Sequence, residues 1–236
     1  MIHHERRIME RTAIITGASQ GLGLALARRL AGEGWALAID ARRPDLLTPA
    51  ADELRDVTRV AAIAGDVADP DHRLQLATAA RLLGSVRLVV NNASTLGESP
   101  LPALDSVDPD VLRRTFDVNV VAPIALVQLL AGSLGPGATI VNVTSDAAVE
   151  AYPTWGGYGA SKAALEHAGR VLAVEHPEWR VLTVDPGDMR TEMHQAAFPG
   201  DDIGDRPAPD ASVPGLLALI NGEHPSGRYV AKQVAP

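Results

Sequence analysis

The stretch TAIITGASQGLGLALARRL, residues 12–30, joins a short apolar run to an amphipathic helical pattern through a turn with glycines at 17, 21 and 23. Glycines there permit a tight turn and let an anion approach the first amides of the helix, where the helix dipole also favours negative charge. A glycine turn between a first strand and a first helix is the opening unit of a parallel, nucleotide-binding α/β sheet.

Working outward, the apolar runs ALAID (36–40), RVAAIA (59–64), VRLVV (86–90), ATIVNV (138–143) and RVLTV (180–184) alternate with helical patterns such as PDHRLQLATAARLLG (70–84). Strands apolar throughout their length, separated by helices, predict a parallel sheet covered on both faces. The expected fold is therefore α/β: a doubly wound parallel sheet, Rossmann-like, in a single domain over 12–236, with residues 1–11 as an N-terminal extension. Long helices are expected over about 110–133 and 156–175. After Pro186 the alternation lapses into a Gly-, Pro- and Asp-rich segment. Its length and its start at the carboxyl end of a strand predict a substrate lid over about 188–214.

Of the 236 residues 46% are hydrophobic but only 3% aromatic, so the core must be built of Ala, Val, Leu and Ile. A formal charge of -8 argues against a nucleic-acid or anionic-membrane partner, which needs a basic surface. The absence of cysteine excludes disulfides, thiol catalysis and thiolate metal sites. No wholly apolar run approaches the roughly 20 residues of a membrane span, and no signal-peptide core precedes the first strand. A cytoplasmic protein is expected. His167 and His194 stand in no metal-ligand spacing, so no metal is expected; His167 reads as a helix-face residue.

In YGASKAAL (158–165), Tyr158 and Lys162 are four residues apart and share one helix face. Around them, in order, stand TGASQGLG (16–23), GDV (65–67), NNAS (91–94), VNV (118–120), NVTS (142–145), YGASK (158–162) and DPGDMRT (185–191). This set resembles the short-chain dehydrogenase/reductase family over nearly the whole chain, with that family's T-G-x-x-x-G-x-G and Y-x-x-x-K. The resemblance implies that Tyr158 is the general acid/base of hydride transfer between a carbonyl and a secondary alcohol. Lys162 would lower the Tyr158 pKa, ordinarily about 10, and hold the nicotinamide ribose. Ser145 would hydrogen-bond the substrate oxygen, and Asn119 would support the proton relay.

For the cofactor, the resemblance implies a phosphate loop of Gly17, Ser19, Gln20, Gly21, Leu22 and Gly23. Asp66 and Val67 would lie at the adenine edge. Asn91, Asn92, Ala93 and Ser94 would support the cofactor, with Ser94 in place of the usual glycine. Pro186, Gly187, Met189 and Thr191 would cover it. Asp40, at the end of the second strand, is positioned to bind ribose hydroxyls as in NAD binders. Arg42 and Arg43 are suited to a 2′-phosphate, and NADP(H) is favoured over NAD(H).

Position also assigns a substrate pocket to Asp146, Tyr152, Trp155, Met193, His194 and Phe198. The expected partner is a small carbonyl or alcohol substrate. The two long helices suggest a homodimer, while the missing Asp-Gly-Gly close weakens the case for a tetramer. Two alternatives stand beside this reading: a non-catalytic dinucleotide-binding sensor or interaction protein, and an epimerase or dehydratase on the same fold.

Overall fold

Strands that are apolar on both sides must be covered on both sides, and a computed structural model describing residues 11–234 realises that arrangement. Seven parallel strands form one sheet in the order β3-β2-β1-β4-β5-β6-β7. They are β1 (Arg11–Ile15), β2 (Ala36–Ala41), β3 (Val60–Ala64), β4 (Ser85–Asn91), β5 (Thr139–Val143), β6 (Arg180–Asp185) and β7 (Gly227–Val230). The helices are α1 (Gly21–Gly32), α2 (Pro44–Arg55), α3 (Pro70–Leu83), α4 (Pro109–Phe116), α5 (Ala122–Leu130), α6 (Gly156–Glu175), α7 (Glu192–Ala197) and α8 (Val213–Asn221). The strand order reverses between β1 and β4, which opens a crevice at their carboxyl ends.

Period-two alternation divides the core into two layers. Ala13, Ile15, Leu37, Ile39, Leu88 and Val90 face one side, where Leu22, Leu26 and Leu30 of α1 and Leu216 and Ile220 of α8 cover them. Ile14, Ala38, Val89, Ile140 and Val181 face the other, against Leu76 and Ala80 of α3 and Leu126 and Leu130 of α5. Small side chains on both elements let the helices sit close to the sheet, as the near absence of aromatics requires.

The described structure departs from the sequence expectations in four places. Arg11, assigned to the extension, opens β1, while the rest of that segment lies outside the described residues. The helix expected over 110–133 is divided by a π-helical turn, Asp117–Val121, that carries Asn119; such turns recur at functional sites. The whole run Pro109–Ser133 passes a length-and-composition test for a membrane span, as apolar core helices of soluble proteins also do. Nearly half of its most apolar window is buried inside the protein. The expected lid contains α7 and a 3-10 turn, Pro209–Ser212, rather than uniform loop, and α8 begins within its predicted bounds. Finally β7, four residues including Gly227 and Arg228, was too short and polar to register as a strand.

The glycine turn is required by space at its centre. A Cβ on Gly23 would stand 2.4 Å from the Gly17 carbonyl oxygen and 2.7 Å from Asn92 Nδ2. Gly32, at the end of the same helix, has nothing within 4 Å of a built Cβ. Gly23→Ala should therefore cost about 1–3 kcal/mol and lower Tm by several degrees, whereas Gly32→Ala should leave Tm unchanged or raise it. Thermal unfolding followed by circular dichroism measures both, and an equal response would contradict the packing argument.

Candidate active site

The exit of β1 is tied down from three directions. The Gly17 N–H donates to Asp40 Oδ1 at 2.7 Å, and the Ala18 N–H donates to the Asp40 carbonyl at 2.9 Å. The Asn92 side-chain amide donates to the carbonyls of Thr16 (2.8 Å) and Gly17 (3.1 Å). Thr16 Oγ1 in turn accepts the Asn92 and Ala93 N–H groups, both at 3.0 Å. The loop is thus rigid before α1 begins, and no side chain caps the N-terminal amides of α1. Those amides, beside Ser19, Gln20, Gly21 and Leu22, face a cavity of about 770 Å³. Open amides at a helix start suit a pyrophosphate.

Asp40 does not have the free carboxylate that direct ribose binding calls for. It is buried, one oxygen holds the Gly17 amide, and the other lies 2.9 Å from Nε2 of buried His72. One oxygen is thus engaged by the loop and the other by α3, although Asp40 still borders the cavity. His72 carries no sequence motif, and only the fold brings it to Asp40. Gly23 is absent from the cavity wall and serves helix packing. Asn91 donates to Asn142 Oδ1 within the sheet at 2.8 Å and is also off the wall.

Beside the glycine loop the cavity is also lined by Arg42, Arg43, Asp66 and Val67. Burial works against the Asp66 charge, but the Ala68 amide, Arg114 and Arg42 outweigh it and hold the carboxyl below its usual range. Arg42 is exposed and makes no hydrogen bond to another described residue. Arg43 donates to Glu192 Oε2 at 3.2 Å, and Gln20 Nε2 donates to the same oxygen at 2.8 Å. Glu192, which sequence reasoning missed, therefore docks the start of α7 on the glycine loop. Pro186, Gly187, Met189 and Thr191 complete this wall, and Asn92, Ala93 and Ser94 line the base.

The other end gathers the chemistry. Ser145 leaves β5 and caps a short 3-10 turn, Asp146–Ala148. Tyr158 and Lys162, on α6, face the same space as Ser145. The Lys162 Nζ is almost wholly buried, donates to the Val143 carbonyl at 2.9 Å and lies 5.6 Å from the Tyr158 ring centroid. Asn119 does not reach the cavity. Its side-chain nitrogen donates to Ser161 Oγ and the Thr95 carbonyl, both at 2.9 Å, while its oxygen accepts the Thr95 amide (2.9 Å) and the Ser94 hydroxyl (3.1 Å). It fastens the loop after β4 to α6.

The electrostatics differ from the simple expectation. Burial raises the Tyr158 phenol well above its ordinary pKa, the Ser94 and Ser145 hydroxyls pull it partly back, and Asp146 and Asp185 push it further up. Lys162 does not bring it below its ordinary value; burial pushes the ammonium itself down to about 8. Ser94, the departure from the usual glycine, thus adds a second hydroxyl at the phenol.

Of the expected substrate pocket, Asp146, Trp155, Met193 and His194 line the cavity. Tyr152 and Phe198 do not. Tyr152 is exposed and donates to Asp146 Oδ2 at 3.0 Å, while Phe198 packs behind Trp155 and His194. They are aromatic residues at the right sequence position whose rings serve the wall rather than form it. His167 lies on α6, away from the cavity wall. Among the described residues no group of three His, Asp or Glu is arranged to hold a metal.

The cavity thus has an anion-suited glycine loop and a guanidinium, Arg42, with no hydrogen bond to another described residue, at one end, and a phenol, an ammonium and two hydroxyls at the other. These residues fit a dinucleotide and can exchange a proton with a substrate oxygen beside it. The family model described as short chain dehydrogenase matches residues 11–202. The sepiapterin reductase of Rattus norvegicus is 34% identical over 199 residues, covering 78% of this chain and 76% of its own. An alcohol dehydrogenase from Thermococcus sibiricus, solved with 5-hydroxy-NADP, superposes with a TM-score of 0.84 at 26% identity, over 94% of this chain and 95% of its own. A short chain dehydrogenase from Shigella flexneri, solved with NADP, gives 0.85 at 26% identity over 95% and 98%. This chain belongs to the short-chain dehydrogenase/reductase family.

Proposed function

We propose that the protein is an NADP(H)-preferring oxidoreductase that interconverts a small carbonyl compound and its secondary alcohol. The observation that carries this reading is the convergence of Tyr158, Ser145 and Lys162 on one cavity whose other end offers the glycine loop and an unbonded Arg42. When bound, the nicotinamide supplies or takes the hydride. In reduction the Tyr158 phenol gives its proton to the substrate oxygen as charge develops there. Burial holds the phenol above its ordinary pKa, so Tyr158 carries that proton at neutral pH. The resulting phenolate is met by the hydroxyls of Ser94 and Ser145.

Ser145 Oγ donates to Asp146 Oδ1 at 2.8 Å. To polarise a substrate carbonyl its hydrogen turns from the carboxylate to the substrate oxygen. Asp146 thereby sets the resting orientation of Ser145. Ser94 can make a similar turn from Asn119 to the phenolate, because the Asn119 oxygen keeps the Thr95 amide.

The commitment of Asp40 to Gly17 and His72, together with relatives solved with NADP, supports the 2′-phosphorylated cofactor. A relative named for reducing sepiapterin supports a carbonyl substrate without fixing which one. Exposed Val121 and Ile124 on the helical run after α4, with Val171 and Val174 on α6, support a homodimer through these helices. The cysteine-free composition suits the cytoplasm.

Fluorescence titration should show NADPH binding at least tenfold more tightly than NADH, about 1.4 kcal/mol, and Arg42→Ala should abolish that preference while sparing NADH. Equal affinities in the parent would contradict the phosphate site. Tyr158→Phe should bind NADPH within a few-fold of the parent and lose carbonyl reduction by at least a hundredfold; unimpaired turnover would remove the acid/base assignment.

Ser94→Gly removes a group that lowers the phenol pKa. The rising limb of alcohol oxidation against pH should then move upward; an unmoved or lowered limb excludes this role.

Lys162 tests the linkage between site and stability. Its folded pKa of about 8 lies below the ordinary lysine value of 10.5, so the unfolded chain binds more protons between these values and stability rises with pH there. Below pH 8 the buried charge costs up to about 3 kcal/mol. Lys162→Met should be inactive yet more stable than the parent at pH 7. That advantage should shrink between pH 8 and 10, as chemical denaturation at several pH values would measure. A constant difference across this range would contradict the assignment.

A further inference from the structure

We propose that Arg228 of β7 is a positioning residue that sets Ser145 against the helix carrying Tyr158 and Lys162; this rests on the oxidoreductase reading above. The three residues leaving β5 are each anchored in turn. The Val143 carbonyl accepts Lys162 Nζ at 2.9 Å, and the Thr144 hydroxyl donates to Glu166 Oε1 at 2.7 Å. The Ser145 carbonyl accepts Arg228 Nη2 at 3.3 Å. Tyr158, Lys162 and Glu166 follow one another at four-residue spacing along a single face of α6.

The same guanidinium closes the rest of the frame. Arg228 Nε donates to Glu166 Oε1 at 3.0 Å, and Nη2 lies 3.3 Å from Asp185 Oδ2. Asp185 accepts the Gly187 amide at 2.9 Å on its other oxygen, at the head of the Pro186–Thr191 segment. Arg228 therefore joins the Ser145 backbone, the catalytic helix and the start of the cofactor-covering segment. The Glu166 and Asp185 side chains are only 7% and 9% exposed and face this one cation, itself 30% exposed. Removing it leaves two buried carboxyls without their counter-charge. A lysine keeps the charge but lacks the planar fork that serves several acceptors at once. Asp185 is also one of two carboxylates that raise the Tyr158 pKa, with Asp146 the other and Lys162 the cation beside the ring. Arg228 tempers the Asp185 contribution.

The test uses Arg228→Lys and Arg228→Met in the full-length protein, with NADPH and 2,3-butanedione as a reactive carbonyl probe. Arg228→Met should lose at least tenfold in kcat with the NADPH Kd within twofold of the parent, and Arg228→Lys should recover part of the loss. The pH at which reduction falls off on the alkaline side should move up in Arg228→Met. Hydrogen exchange, which needs no substrate, should quicken at 143–149 and 185–191 in both variants. Parental kcat with parental exchange in both variants would overturn the proposal.

Should Arg228→Met fail to fold, Arg228→Met combined with Glu166→Gln and Asp185→Asn removes the unpaired charges. That protein should fold yet keep fast exchange at 143–149 and low kcat, and parental values in it would equally overturn the proposal. Tyr158→Phe separates the two readings. Undiminished butanedione reduction there defeats the oxidoreductase mechanism, whereas its loss alongside silent Arg228 variants defeats the positioning role alone.

Discussion

The ammonium of Lys162 sits almost wholly inside the protein with the Val143 carbonyl as its hydrogen-bond partner. Burying a charge of this kind is expensive unless the group is hydrogen-bonded and the surroundings are fixed. Much of the architecture near the site can be read as meeting that demand. Helix α6 must lie against the end of β5, which brings Tyr158 and Ser145 into one space. Asn119 is spent on Ser161, between the phenol and the ammonium, and the π-helical turn presents it there. The same burial weakens the ammonium and strengthens the hold of the phenol on its proton.

The cavity is polar in a directional sense. Arg42 and Arg43 stand at the glycine-loop end, while Asp146 and Asp185 stand near the phenol. The first end is suited to an anionic group. At the second, the carboxylates oppose formation of a phenolate, and the hydroxyls of Ser94 and Ser145 moderate that opposition. Burial comes first and these groups adjust it, so the proton affinity of the Tyr158 phenol stays above its ordinary value.

Most of the sheet was legible because its strands are apolar on both faces, a pattern that solvent-facing strands do not share. Helix α6 was legible down to its ends. The strand β7 was not, since four residues including an arginine carry no periodic signal. Its functional content, Arg228, became visible only when the fold brought it to Glu166 and Asp185. Asp40 was read correctly as lying at the end of β2 but misread in role, because a sequence does not reveal that a distant histidine and a glycine amide take both its oxygens. Tyr152 and Phe198 lie beside the site but off its wall, a distinction set by side-chain direction and not by chain position.

Hydride must arrive at a substrate carbonyl carbon, and a proton at its oxygen, within this cavity. The most direct measurement is isotope transfer: NADPH deuterated at both C4 positions is incubated with a reducible carbonyl substrate, and product is examined by mass spectrometry. The account predicts one deuterium at the new carbinol carbon for each NADPH consumed. Product that forms with no net loss of NADPH, or NADPH consumed without deuterium reaching the carbinol carbon, would contradict it.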